Sequence, residues 1–168
     1  IKYQNHPQSN SSDKYPQKPV ISDPLCPLEK FIPSKVSLKA KSLVIDLDET
    51  LVHSYFDERV PRQADVTFDI KINEIPIRVN TLIRPGASEF IEKMANLDEI
   101  VIFTASLHQY ANPLIDIIDK NNLCEYRLFR EHCCPYINKG ISSFTKDLKK
   151  LGRNMNNIII LDNNPNSY

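Results

Sequence analysis

Residues 42–54 read SLVIDLDETLVHS, and this stretch decides the fold of the 168-residue chain. It begins with a continuous aliphatic run, 43–45, which predicts a parallel strand buried on both faces. Asp46 and Asp48 follow where that strand must end. Since ligands of open α/β sheets bind beyond the carboxyl ends of the strands, we expect both carboxylates at the rim of a site. Two carboxylates so close repel each other, and Mg²⁺ would neutralise them.

Strand and helix patterns alternate along the rest of the chain. Two further aliphatic segments and a third, mixed segment that ends in an arginine predict strands. Three other segments predict helices, the last of them short and stopped by Gly152. Such alternation predicts an α/β fold, a parallel sheet flanked by helices with right-handed crossovers. The predicted strands are 99–106, 125–130 and 157–163, and the predicted helices begin at 84–88, 107 and 146.

A small β insert is predicted directly after the first strand. Residues 66–72 and 75–79 alternate apolar and polar side chains on either side of Asn73-Glu74, which is typical of a hairpin. Pro76 places its strand near an edge. We expect this hairpin above the acids, as a lid or substrate-side wall. By contrast, 132–143 contains Cys and Pro without periodicity and is predicted to be an irregular loop.

Composition limits the class of protein. Residues 1–37 hold six of the twelve prolines and predict an irregular segment, followed by one domain over 38–168. The formal net charge of +0 gives no support for direct nucleic-acid binding. No apolar run is long enough for a membrane segment. Cysteines read as reduced structural thiols favour a nuclear or cytoplasmic location. The chain starts with Ile1 and ends at Tyr168 just after a motif, so we expect a fragment of a longer protein.

The four cysteines show no C-x-x-C spacing, which argues against a zinc site or a secreted disulfide framework. His132 next to Cys133 and Cys134 leaves a metal site as an alternative. Three consecutive side chains rarely point at one ion, so reduced structural thiols are the favoured interpretation.

Polar groups recur at or just after the carboxyl ends of the predicted segments. Besides the two acids, these are Thr104, Lys146 and Asp162 with Asn163. Strand ends of a parallel sheet converge, so a metal, a hydroxyl and an ammonium would form one anion site. This combination suits phosphoryl transfer, where positioning and charge neutralisation do most of the catalysis.

The motifs resemble those of a known family. Asp-x-Asp-x-Thr after a strand resembles motif I of the haloacid-dehalogenase superfamily. The longer string resembles its FCP/SCP branch, the phosphatases of the RNA polymerase II C-terminal domain and relatives such as Dullard, which carry the NLI-interacting-factor domain. The resemblance covers 43–168 with all motifs in order. Its other parts are Arg84-Pro85, Phe-Thr-Ala-Ser at 103–106, Leu-Phe-Arg-Glu at 128–131, Lys-Asp-Leu at 146–148, Leu-Gly-Arg at 151–153 and Asp-Asn-x-Pro-x-Ser-Tyr at 162–168.

The resemblance implies a two-step mechanism. Asp46 would attack phosphorus to form an aspartyl-phosphate, and Asp48 would act as general acid and then as general base. Mg²⁺ would be held by the Asp46 carboxylate, the Asp48 backbone carbonyl and Asn163. Thr104 and Lys146 would bind phosphate oxygens. Asp162 would orient Lys146 and the waters of the metal.

The implied substrate is a phosphorylated Ser/Thr protein, such as the proline-containing tail of RNA polymerase II. An apolar pocket for that proline is expected beside the site, although core packing explains Ile70 and Ile72 equally well. Arg130 is a candidate for contact with phosphate or an acidic flank. The expected pocket residues are Phe56, Ile70, Ile72, Leu107 and Tyr110.

Alternatives remain open within and outside the phosphatases. The loop before Lys146 is longer than in the small phosphatases and has Phe144 where a Tyr is usual, so substrate preference can differ. A Dullard-like enzyme acting on another phosphoprotein is one alternative. A non-catalytic scaffold on the same fold is another, but intact acids argue against it. A receiver domain carries its phosphorylated Asp on a later strand, and a P-loop motif is absent.

Overall fold

A four-stranded parallel sheet forms the centre of the fold. The computed structural model describes residues 31–32, 39–56, 63–138 and 141–168. The sheet consists of β1 (Ser42–Ile45), β5 (Glu99–Phe103), β6 (Cys124–Leu128) and β9 (Ile158–Leu161). Its strand order is β6-β5-β1-β9, so the strand that precedes the acids is central. All three pairs are parallel, which confirms the predicted α/β fold.

Both α-helices pack on the same face of this sheet. These are α1 (Ala87–Ala95) and α2 (His108–Ile118), close to their predicted positions. Ile91 and Ile115 join Ile45 in one buried cluster. Val44 and Phe103 point to the other face, which packs against the 3-10 turn Leu148–Leu151 and residues 31–32. The predicted flanking by helices therefore holds for one face, and 3-10 and irregular segments cover the other.

The insert after β1 is a three-stranded antiparallel sheet. It consists of β2 (Val52–Tyr55), β3 (Val66–Ile72) and β4 (Ile75–Ile83) in the order β2-β4-β3. Asn73 and Glu74 have φ values of 50° and 64°, so a two-residue turn closes the predicted hairpin. Strand β4 is the middle strand, but β2 pairs only with its residues 80–83. At Pro76, strand β4 therefore has a neighbour on the β3 side and, among the described residues, none on the other side. The missing N–H of Pro76 therefore breaks no ladder.

A second hairpin replaces the irregular loop expected over 132–143. It consists of β7 (Cys134–Asn138) and β8 (Ile141–Thr145), and it leads directly to Lys146. A 3-10 turn, Arg130–His132, precedes it. The prediction was wrong because Pro135 was taken as a breaker. In a two-stranded sheet each strand is an edge, so a proline without N–H is tolerated.

A buried ion pair joins the amino ends of the strands. The Arg153 guanidinium donates to Glu99 Oε1 at 2.6 Å and to Glu99 Oε2 at 2.8 Å. Ser42 Oγ donates to the same carboxylate. Arg153 follows Gly152, which has a φ of 63° and ends the 3-10 turn as predicted from its position. The predicted helix from Lys146 is thus a 3-10 turn.

The cysteines differ in their chemical state. Cys124 and Cys133 are buried free thiols, and burial raises the pKa of Cys133 to about 12. Cys134 is disulfide-bonded, so the expectation of reduced thiols is wrong at this residue. The expected irregular segment 1–37 falls on residues outside the described ranges, apart from Phe31 and Ile32. Within the described ranges, neither α1 nor α2 is long and apolar enough to cross a membrane.

Candidate active site

The carboxyl ends of β1, β5 and β9 and the end of β8 bring five predicted side chains together. Lys146 Nζ lies 2.6 Å from Asp46 Oδ1 and 2.6 Å from Asp162 Oδ2. Thr104 Oγ1 lies 3.4 Å from Asp48 Oδ2. Asp46 and Asp162 are 116 positions apart in the sequence, and both contact the ammonium of Lys146. The expected convergence of strand ends is therefore present in the structure.

A tight turn after β1 presents the two acids. The Leu47 carbonyl accepts hydrogen bonds from the backbone N–H groups of Leu51 at 2.8 Å and Val52 at 3.1 Å. Glu49 has a φ of 63°, a left-handed conformation that is unusual for a residue other than glycine. Arg84 donates to the Thr50 carbonyl and, at 3.0 Å, to the Glu49 carbonyl. These bonds hold the turn in place, a role that sequence reasoning did not assign to Arg84.

Asp46 is buried, with 7% of its surface exposed. Burial raises the pKa of this carboxyl to about 6, and the ammonium of Lys146 opposes the shift without cancelling it. The neighbouring carboxylates of Asp162 and Asp48 raise it further. Thr50 Oγ1 donates to Asp46 Oδ2 at 3.3 Å. The ion pair with Lys146 therefore offsets only part of the free-energy cost of burying the ionised Asp46 carboxylate.

Lys146 and Asp162 are also withdrawn from solvent. The exposed fractions of their side chains are 3% and 1%. Asp162 Oδ1 accepts from the backbone N–H of Asn164 at 2.8 Å, which fixes the carboxylate toward the ammonium. This geometry is compatible with the role predicted for Asp162, that of orienting Lys146.

Hydroxyl groups surround the Asp48 carboxylate. Tyr110 Oη lies 2.6 Å from Asp48 Oδ1, and Ser106 Oγ lies 2.7 Å from Asp48 Oδ2. Sequence reasoning missed Ser106, although it is the last residue of the Phe-Thr-Ala-Ser string. Tyr110 had been expected in a substrate pocket. The residue is 4% exposed, its ring lies 5.5 Å from the ring of Phe56, and its hydroxyl is directed to Asp48.

Two of the donors predicted for Mg²⁺, the Asp46 carboxylate and the Asn163 side chain, lie near the hydroxyl of Thr50. Thr50 Oγ1 is 3.3 Å from Asp46 Oδ2 and 3.5 Å from Asn163 Oδ1, so both oxygens face the same small region. Carboxylate, amide and backbone carbonyl oxygens are ligands that suit Mg²⁺. In the part of the chain that the structure describes, no group of three or more His, Cys, Asp or Glu is arranged to hold a metal. The donors predicted for Mg²⁺ are one carboxylate, one amide and one backbone carbonyl, so the predicted site does not require a cluster of three such side chains.

The residues predicted for the substrate pocket are divided between core and surface. The rings of Phe56 and Tyr110 lie 5.5 Å apart, and Phe56 is 46% exposed. Leu107 is half-buried immediately before α2. Ile70 is buried in the main core, and Ile72 packs against that core, so the packing explanation applies to both. Of this set, Phe56 is exposed, Leu107 and Ile72 are half-buried, and Ile70 and Tyr110 are buried.

Arg130 lies beside the loop that follows β5. Its Nε donates to the Ala105 carbonyl at 2.7 Å, and its guanidinium lies 5.1 Å from the centroid of the Phe144 ring. Ala105 is next to Thr104 in sequence. Arg130 therefore supports the Thr104 loop through its Nε.

Comparisons with known proteins agree with the fold and the motifs. The chain belongs to the NLI interacting factor-like phosphatase family, whose model matches residues 41–168. It is 48% identical over 128 residues to phosphatase Herzog of Drosophila melanogaster, covering 76% of this chain and 35% of that protein. It is 39% identical over 163 residues to the human CTD small phosphatase-like protein, covering 96% of this chain and 57% of that protein. The chain thus spans between about a third and somewhat more than half of these relatives.

A solved structure shares the fold. The structure of Fcp1, described as an essential RNA polymerase II CTD phosphatase, superposes with a TM-score of 0.62 at 20% identity. The match covers 76% of this chain and 38% of that chain. The resemblance to FCP/SCP phosphatases inferred from the motifs is confirmed.

Proposed function

We propose that this domain is a Mg²⁺-dependent protein serine/threonine phosphatase that works through an aspartyl-phosphate. The observation that carries the proposal is the buried ammonium of Lys146, which lies 2.6 Å from both Asp46 and Asp162 beside the Asp48 carboxylate. A fixed cation next to a buried carboxylate can bind a phosphoryl group and hold it against that carboxylate. Membership of a phosphatase family supports the same chemistry.

The first step transfers the phosphoryl group to the enzyme. A carboxylate oxygen of Asp46 forms a bond to phosphorus while the bond from phosphorus to the serine or threonine oxygen breaks. The carboxyl of Asp48 donates its proton to the leaving oxygen. The geometry supports this division of roles, because Asp46 lies against Lys146 and Asp48 lies against neutral hydroxyl groups.

The second step hydrolyses the aspartyl-phosphate. Asp48, now a carboxylate, takes a proton from a water molecule whose oxygen attacks phosphorus. The bond between phosphorus and Asp46 breaks, and inorganic phosphate leaves. Thr104 Oγ1 and Lys146 Nζ are the groups proposed to bind phosphate oxygens in both steps. Lys146 would exchange part of its contact with Asp46 for the phosphate.

The donor set fits Mg²⁺. Asp46, the Asp48 backbone carbonyl and Asn163 would hold it, and it would supply a positive charge that offsets the charge of the transferring phosphoryl group. Charge balance supports this assignment, because the carboxylates of Asp46 and Asp162 share one ammonium, and the carboxylate of Asp48 is hydrogen-bonded to neutral hydroxyl groups. Asp162, turned toward Lys146, would act on the metal through waters.

We propose a phosphorylated protein tail as the substrate. The human relative is named a CTD small phosphatase-like protein, and the Fcp1 structure is described as that of an RNA polymerase II CTD phosphatase. Phe56 and Leu107 offer apolar surface for a proline next to the phosphorylated residue, and Arg130 offers a cation for an acidic flank. A phosphorylated tail of this kind suits a nuclear or cytoplasmic location. The alternative is a Dullard-like phosphatase that acts on another phosphoprotein. Comparing turnover of different phosphopeptides would distinguish the two.

Hydrolysis of p-nitrophenyl phosphate tests the proposed chemistry. We expect turnover that requires Mg²⁺, that chelation removes and that Asp46→Asn abolishes while far-UV circular dichroism stays unchanged. Turnover retained by Asp46→Asn would refute the nucleophile assignment. No turnover by a folded wild-type protein, with or without Mg²⁺, would favour a scaffold on this fold.

A further inference from the structure

The carboxylate of Asp48 is held by hydroxyl groups from the loop that follows β5 and from α2. Ser106 Oγ donates to Asp48 Oδ2 at 2.7 Å, and Tyr110 Oη lies 2.6 Å from Asp48 Oδ1. Thr104 Oγ1 is a weaker third contact at 3.4 Å. Each carboxylate oxygen therefore has a close hydroxyl partner, so the group is fixed in orientation as well as in place.

The hydroxyl of Tyr110 belongs to a series of hydrogen bonds that continues into the insert sheet of β2, β3 and β4. Ser54 Oγ lies 2.7 Å from Tyr110 Oη and 2.7 Å from Thr81 Oγ1. A phenol has one proton, and an ionised carboxylate can only accept. When Asp48 is ionised, Tyr110 therefore donates to Asp48 and accepts from Ser54. The direction of this series is then Thr81 to Ser54 to Tyr110 to Asp48.

The surroundings of this series of hydrogen bonds make it rigid. Thr81 is fully buried, and Tyr110 is 4% exposed. Ser54 lies on β2 and Thr81 lies opposite it on β4, while Tyr110 lies in the first turn of α2. Three elements therefore fix the donor that contacts Asp48, and a buried polar network of this kind has few alternative arrangements.

We propose that Tyr110 and Ser106 are positioning residues that hold the Asp48 carboxyl in the orientation needed for proton transfer to and from the reacting oxygens. The inference rests on the proposed function, because it assigns Asp48 the role of general acid and base. It gives Tyr110 a role in addition to the place in the substrate pocket that the sequence predicts. Proton transfer requires the donor within hydrogen-bond reach of the leaving oxygen, so a carboxyl free to rotate transfers its proton less often.

The effect of the leaving group on kcat/KM distinguishes a role in positioning Asp48 from a role in packing alone. A serine alkoxide leaves poorly without a proton, whereas p-nitrophenolate leaves readily without one. The ratio kcat/KM reports the first irreversible step, which contains departure of the leaving group. Loss of acid positioning should therefore lower kcat/KM for a phosphoserine peptide much more than for p-nitrophenyl phosphate.

The test compares Tyr110→Phe with wild type on both substrates in saturating Mg²⁺. We expect kcat/KM for the phosphoserine peptide to fall about 30-fold, within the range that general acid catalysis supplies. For p-nitrophenyl phosphate we expect a change of less than about threefold. Because Asp48 also activates the hydrolytic water, a burst of p-nitrophenolate should appear in Tyr110→Phe, as the aspartyl-phosphate accumulates.

Two other variants complete the design. Ser106→Ala removes the donor to the other oxygen from a partly exposed site, and the same split between substrates is expected even if Tyr110→Phe proves unstable. Tyr126→Phe is the matched control, since this tyrosine packs near Arg153, 5.8 Å from its ring, and should leave both substrates unaffected.

The outcomes separate this inference from the proposed function. Equal losses on both substrates in Tyr110→Phe and Ser106→Ala, with wild-type turnover intact, would overturn the positioning role alone. Absence of wild-type turnover on any phosphomonoester would overturn the proposed function and the inference with it.

Discussion

Replacing Asp46 by Asn is expected to stabilise the folded protein at neutral pH. The carboxyl is buried, and its pKa is raised from 3.8 to about 6 in the folded state. A shift of about two units corresponds to about 3 kcal/mol, a large share of the stability of a typical domain. Asn carries no charge to desolvate, and its Oδ1 can still accept from Lys146. The variant should therefore lose activity and gain stability.

The sign of the pH dependence follows from proton binding. Between the unfolded pKa of 3.8 and the folded pKa of about 6, the folded state binds more protons than the unfolded state. The free energy of unfolding of the wild type therefore falls as the pH rises through this range. Stability that is present below the unfolded pKa is lost above the folded pKa. Asp46→Asn lacks this dependence.

Urea unfolding in EDTA at several pH values measures the effect. The free energy of unfolding of Asp46→Asn should exceed that of the wild type by about 1 kcal/mol at about pH 4.5 and by about 3 kcal/mol at about pH 7.5. Asp69→Asn is the matched control, because this exposed carboxylate has a pKa lowered by Arg78 and should give a small change of opposite sign. A difference between wild type and Asp46→Asn that is independent of pH, or a less stable variant at neutral pH, would refute the argument.

Two further predictions concern the buried ion pair and the apolar surface beside the site. Glu99→Gln leaves the buried guanidinium of Arg153 without its charge partner and should lower the free energy of unfolding in urea by about 3–5 kcal/mol. Glu125→Gln, which breaks a partly exposed pair with Lys39, should cost less than about 1 kcal/mol, and equal effects of the two would contradict this reasoning. Leu107→Ala should raise KM for a proline-containing phosphopeptide about fivefold and leave KM for an aryl phosphate unchanged. The control is Leu97→Ala, a leucine that is 64% exposed, and a parallel rise for both substrates would indicate packing alone.

Strands β1 and β5 of the central sheet were predictable from the sequence because burial on both faces leaves a continuous aliphatic run. Every residue of β1 and β5 is buried, including Ser42 and Glu99 at their amino ends. The positions of Asp46, Thr104 and Asp162 followed from the same reasoning, since each comes directly after such a run. Parallel pairing then places them at one edge.

Features that depend on tertiary contact were not predictable in this way. The hairpin of β7 and β8 carries no clear alternation, and its Pro135 is tolerated only because its strand has one neighbour. The sequence gives no direction for a hydroxyl, so the contact of Tyr110 with Asp48 could not be distinguished from a place in a pocket. Ile70 fits a pocket wall or a core equally well until α2 is placed against β3.

The two ends of the central sheet carry opposite electrostatic arrangements. At the amino ends, Glu99 and Arg153 pair one to one with two hydrogen bonds. At the carboxyl ends, the carboxylates of Asp46 and Asp162 share the ammonium of Lys146. A buried carboxylate without full compensation raises the free energy of the fold, so this edge is stabilised by whatever supplies positive charge. Under the proposed function Mg²⁺ supplies it, and the desolvation that makes Asp46 costly in the resting protein is also what makes it a weakly hydrated nucleophile. The buried pair at the other end of the sheet stabilises the same strands and contacts none of the groups proposed for the reaction. Glu99→Gln should therefore lower the stability and leave the chemistry of the site intact, whereas Asp46→Asn should raise the stability and abolish turnover.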